Sequence, residues 1–189
     1  MANATRRIND LTCPTNNVET LEPNTNLNEH KTPGSTYLLK PGTYHIRDEI
    51  YLGDGEALCY VGTGNSREEV VVSLTGIDLS YKPFLVQKGS LGLKNLVVDG
   101  SGATGNIPIN LAAAVHSATD ITLKNINAAQ AIGVDFATSR VTVSNAQFKA
   151  LTMGDAVLVC TGGDIQLQEV RHCTRGPPQT CDREGGHHV

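Results

Sequence analysis

Four segments decide the fold: GSLGLKNLVVDG (89–100), TDITLKNINAAQ (119–130), SRVTVSNAQFKA (139–150) and GDIQLQEVRHCT (163–174). They superimpose on the form x-x-Φ-x-Φ-x-N-Φ, with Φ apolar, at spacings of 30, 20 and 24 residues. Self-similarity at such distances marks a repeat architecture. The Gly-rich stretch GSGATGNIPIN (100–110) reads as a loop inserted at the longest spacing. A further short strand stands ahead of three segments: LAAAVHS (111–117), AIGVDFA (131–137) and DAVLVC (155–160).

A period near 20–24 with two or three short strands per repeat predicts an all-β fold, a single-stranded right-handed parallel β-helix of about five or six turns. Alternation along each strand then stacks Leu91, Ile121, Val141 and Ile165 inside, and beside them Leu93, Leu123, Val143 and Leu167. Gly92, Thr122, Thr142 and Gln166 face outward, with a Thr122–Thr142 contact. A third inward stack holds Leu96, Ile126, Ala146 and Val170. Asn95, Asn125 and Asn145 share one column, which Glu169 ends. Asn tolerates the left-handed backbone of a sharp bend, and its amide can bond the next rung. Asp120, Arg140 and Asp164 share another column, an acid–base–acid ladder that sets register.

Upstream, TYLLKPGTYHI, EIYLG, ALCYVGTG and EVVVSLTG are short apolar or β-branched runs ended by Gly or Pro-Gly. Residues 1–35 are polar and weakly periodic, an irregular N-terminal arm or cap. The β-helix is expected over 36–174, with a tail over 175–189. Charged residues are 18% and hydrophobic ones 39%, which excludes a disordered chain. The net charge of −4 excludes a nucleic-acid binder, which needs clustered cations. No apolar run is long enough to span a membrane. The start, MANATRRINDLTCP, is not a secretory signal. An extracellular, cell-surface or virion setting is favoured.

These residues resemble the pectate-lyase-like (pectin-lyase-like) right-handed parallel β-helix superfamily. YLLKPGTYHI followed by EIYL and LCYVGTG is similar to the entry into the first coil of such helices. The Asn column is similar to their internal asparagine ladder. The likeness covers roughly residues 36–174 and implies the fold. Its functional reach is broad: polysaccharide lyases, glycoside hydrolases, phage tail proteins and surface modules share the fold. It implies, for a lyase, an Arg or Lys base and acidic residues that hold Ca²⁺ on the outer face.

The chemistry expected of such an enzyme is sparse here. The outward acids Asp99, Asp135 and Asp155 do not line up on adjacent turns, and the Arg-x-Pro-x-x-Arg arrangement is absent. Asp135, His116 and Asp155 are the weak catalytic candidates. His116 aligns with Phe136 and Cys160 in an inward column, which favours a packed core histidine. No cofactor is expected, and the tail His and Cys residues match no zinc spacing. Five cysteines are present, an odd number. Cys173 and Cys181 are close enough to close a small loop by a disulfide, with reduced thiols the equal alternative.

Two functions follow. The first is a non-catalytic module for structure, assembly or surface recognition. Its open solenoid end is covered by the tail, by self-association or by a protein partner. The second is a polysaccharide-active enzyme, a lyase or glycoside hydrolase, using the outer face.

Overall fold

The computed structural model describes residues 13–74, 84–86 and 89–100, and beyond them the strands named here. The chain enters through β1 (Asn17–Leu21). The next coil carries β2 (Ser35–Leu39), β3 (Gly42–His45) and β4 (Ile50–Leu52). After it come β5 (Ala57–Gly62), β6 (Val70–Ser73) and β7 (Phe84–Val86). Then follow β8 (Ser90–Asp99), β9 (Thr104–Gly105) and β10 (Ile109–Leu111), and after them β11 (Val115–Lys124), β12 (Asn127–Ala128) and β13 (Ile132–Val134). β14 (Arg140–Ser144), β15 (Gln147–Lys149) and β16 (Leu158–Cys160) precede β17 (Asp164–Gln168), β18 (Arg171–Cys173) and β19 (Cys181–Arg183).

Like strands of successive coils lie side by side and parallel. One row is β1, β2, β5, the first half of β8, the first half of β11, β14 and β17. A second is β3, β6, the later halves of β8 and β11, β15 and β18. The third is β4, β7, β10, β13 and β16. β8 and β11 run unbroken from the first row into the second, which joins both rows into one bent sheet. The fold is all-β, its parallel strands curled into a half-barrel.

Alternation fills the inside of the curl. Tyr37 and Tyr60 pair in register and stack with centroids 5.7 Å apart. Tyr60 also meets Phe84 of the third row at 6.3 Å. Tyr44, Val72 and Val98 form one buried column, Ile50 and Phe84 another, Leu52 and Val86 a third. Each such side chain contributes roughly 1.5–3 kcal/mol by leaving water. The buried phenols find partners: Tyr60 donates to the His30 carbonyl at 2.8 Å, and Tyr44 to the carbonyls of Leu21 and Lys40.

The expected repeat register is revised. Gly92 pairs with Ser117, Ser117 with Thr142, and Thr142 with Gln166, shifts of 25, 25 and 24. The columns are therefore Leu91, His116, Val141, Ile165 and Leu93, Ala118, Val143, Leu167. Ile121 pairs with Leu96, and Leu123 with Val98 and Phe148. Thr122 sits between Val97 and Gln147, away from Thr142. The cause is physical. The Φ-x-Φ pattern recurs on both sides of a corner, so ITL (121–123) fits either strand by alternation alone. Ile126, Ala146 and Val170 lie outside the described residues.

The corner itself is visible at Asn95, which adopts a left-handed backbone with φ +50. Its amide donates to the carbonyls of Gly62 and Gly64 on the preceding coil, at 3.0 and 2.9 Å. Between the pairs Thr119–Lys94 and Ile121–Leu96, the register sets Asp120 beside Asn95. Asn125, Asn145 and Glu169 lie outside the described residues. Gly62 is needed because a β-carbon there would sit 2.0 Å from the Asn95 carbonyl oxygen. Asn95→Ala should cost about 2–3 kcal/mol, from two lost hydrogen bonds and the left-handed backbone. Asn95→Gly keeps the backbone freedom and should cost about half as much by urea unfolding. Equal losses in the two variants would mean that the backbone conformation contributes nothing.

The N-terminal region is more regular than its polar sequence implied. β1 stacks in parallel on β2, and as the end strand among the described residues it is exposed at Asn17, Val18, Glu19 and Thr20, so no apolar alternation shows. Leu27, in a 3₁₀ turn at Leu27–Glu29, is wholly buried. Asn28 accepts from the amides of Arg47 and Asp48 and donates to the Asp48 carbonyl, clamping this cap to the coil below. Cys13 forms a disulfide with Cys59, Cα atoms 5.7 Å apart. The Thr36 hydroxyl donates to the Pro14 carbonyl at 2.6 Å. The segment at 13–14 thus straps the outer face of β2 and β5, where Thr36 and Cys59 are buried although they alternate outward.

Candidate functional site

In the second row, two register columns flank the buried column of Tyr44, Val72 and Val98, and the earlier of the two is itself buried at Val97. Tyr44, Val72 and Val98 are at most 1% exposed, whereas their neighbours His45, Ser73 and Asp99 are half-buried. In register, that outer column runs His45, Ser73, Asp99, Lys124, Lys149, Cys173. The column two residues earlier runs Thr43, Val71, Val97, Thr122, Gln147, Arg171. Successive rungs are about 4.8 Å apart, and positions i and i+2 of a strand about 6.6 Å apart. Asp99, Lys124 and Lys149 therefore occupy three consecutive rungs, with Arg171 one rung further and one column over. Unit charges of like sign one rung apart repel by roughly 1 kcal/mol in water. An anion seated against the two lysine positions relieves that repulsion. The column can serve as a cradle for anionic groups repeated along a chain.

The strands that hold these positions are fixed by the core columns beside them, so the charges are carried on sheet rather than on loops. Backbone bonds reinforce the first part of the column: the Ile46 amide donates to the Ser73 carbonyl and the Leu74 amide to the Asp99 carbonyl.

The residues singled out from sequence are distributed differently. His116 lies in β11 in the column of Leu91, Val141 and Ile165, not with Cys160, which pairs with Val134. Asp135 and Asp155 lie outside the described residues. Arg140 does pair with Asp164, but its other neighbour is Val115, so Asp120 is not its partner. Sequence reasoning missed the lysine column, although the equal spacing of Asp99, Lys124 and Lys149 was there to find.

A second polar group sits at the capped end. His30 Nδ1 lies 3.6 Å from a Glu19 carboxylate oxygen and meets Tyr37 edge-on at 5.6 Å. Tyr37 in turn accepts from the Thr32 amide. These bonds tie the cap to the first coil. Among the described residues no group of three or more His, Cys, Asp or Glu could hold a metal ion. Among them, too, no helix is long and apolar enough to cross a membrane.

Fold and column together define an all-β chain of stacked parallel strands, similar to a β-helix protein. Among solved structures it is similar to the PL6 family alginate lyase AlyGC, with a TM-score of 0.56 and 18% identity over 76% of this chain. The chain spans 21% of that enzyme's length, so the likeness speaks for the fold. No family model and no curated protein matches the sequence.

Proposed function

We propose that the chain forms a right-handed parallel β-helix of about five or six turns that recognises an acidic polysaccharide on its outer face, without turning it over. The observation that carries this reading is the Asp99–Lys124–Lys149 column with Arg171 beside it. A polyuronate bears one carboxylate on each sugar, so it can lay successive charges along cations that recur from rung to rung. The structural neighbour is an alginate lyase, and alginate belongs to the same polymer class. The Cys13–Cys59 disulfide supports an oxidising compartment, where such polymers occur.

Titration calorimetry with alginate, polygalacturonate and a neutral glucan tests the reading. Binding should be confined to the two polyuronates and weaken with salt. The double variant Lys124→Ala/Lys149→Ala should lose about tenfold in affinity, as the loss of two charge contacts implies. Unchanged affinity, or equal binding of the neutral glucan, would sink the proposal.

A second reading, lyase or glycoside hydrolase activity, is favoured by the neighbour's activity. It is distinguished by unsaturated, ultraviolet-absorbing sugar ends or new reducing ends. Under that reading, Asp135, His116 and Asp155 stand with Lys124, Lys149 and Arg171 as residues to substitute.

A further inference from the structure

We infer that Cys173 and Cys181 form a second disulfide, which staples the C-terminal hairpin over the edge of the last coil. β18 and β19 pair antiparallel, with Cys173 directly opposite Cys181. Directly opposed residues of an antiparallel pair have Cα atoms about 4.5–5.5 Å apart, within the span a disulfide bridges. Cys13 and Cys59 are already joined, so three cysteines remain. Of these, Cys160 lies in β16 of another sheet, in the register column where Leu52 and Val86 are wholly buried. The topology therefore singles out one partner for Cys173.

The staple answers a structural need. β19 is the one antiparallel strand among those described, three residues long, and it closes the edge of β18. A hairpin that short is marginal alone, and an open edge invites another strand. Joining its two strands covalently keeps the edge covered.

The chemistry balances as a two-electron oxidation. One thiolate attacks a disulfide-bearing oxidant, such as oxidised glutathione or a protein disulfide oxidoreductase, to give a mixed disulfide. The second thiolate displaces the carrier. Two electrons and two protons pass to the oxidant, which leaves as its dithiol or as two thiols.

Peptide mapping of the full chain, refolded in a glutathione buffer and alkylated without reduction, is the test. Trypsin should release HCTR (172–175) joined to GPPQTCDR (176–183), separable only after reduction. Cys160 should carry the one alkyl label per chain. In Cys181→Ser, two labels are expected, on Cys160 and Cys173, with Cys13–Cys59 intact. Three labels on the unaltered chain, or a peptide joining Cys160 to Cys173 or Cys181, would overturn the inference.

Discussion

Replacing Cys13 and Cys59 by alanine should lower the folding free energy by about 4 kcal/mol. The estimate comes from the chain entropy released when a loop with a sequence separation of 46 is no longer closed. The loss should fall on the first coil. Without the bond, the segment at 13–14 is held to the outer face chiefly by the Thr36–Pro14 hydrogen bond and by the pairing of β1 with β2. Guanidinium unfolding of the variant, beside the native chain with and without reductant, measures the effect. With reductant present in both samples, the native chain and the variant should unfold at the same midpoint. A difference below about 1 kcal/mol would show that the strap's non-covalent contacts suffice.

Tyr60→Ala should be comparably costly, about 3–5 kcal/mol, as for other large aromatic truncations in a core. Its ring is wholly buried, stacked on Tyr37 and set against Phe84, so the hole opens where two rows meet. Tyr60→Phe keeps the ring and strands the His30 carbonyl, at about 1–2 kcal/mol. The phenol also sets an alkaline limit. Burial raises the Tyr60 hydroxyl far above its ordinary range and pushes Tyr44 up to about 12. The unfolded chain ionises these groups near pH 10 and the folded chain does not. Their stabilisation is thus full below pH 10 and lost as pH rises through the folded values. Above pH 10 each steepens the decline by up to about 1.4 kcal/mol per pH unit. Unfolding midpoints between pH 8 and 11.5 should show a shallower decline in Tyr60→Phe than in the native chain. Parallel declines would count against an un-ionised Tyr60 in the folded state.

The stacking of parallel strands was legible in the apolar alternation of LGLKNLVVD and RVTVS, and so was the left-handed corner at Asn95. The register was not. Alternation has a period of two and is blind to which side of a corner a strand occupies, so ITLK was set against LGLK rather than against LVVD. That displacement hid Asp99, Lys124 and Lys149 from one another and placed His116 beside Cys160. β1 was illegible for another reason. An end strand touches neighbours on one side only, and NVETL carries the polar residues that water tolerates. The Cys13–Cys59 bond could not be read either, because both cysteines lie far apart in sequence and only the strap's course brings them together.

The corner loops carry a final consequence. Ala57 pairs with Ser90 at a shift of 33, yet Val71 pairs with Val97 at a shift of 26. The difference is taken up between Gly62 and Val70, where the chain bulges and returns, and the Asn95 amide holds the root of that bulge. Coil length and ladder phase are hence independent in this molecule. Foreign peptides spliced near Ser66 would be displayed sideways while every downstream rung kept its place, which makes that corner a natural port for grafting.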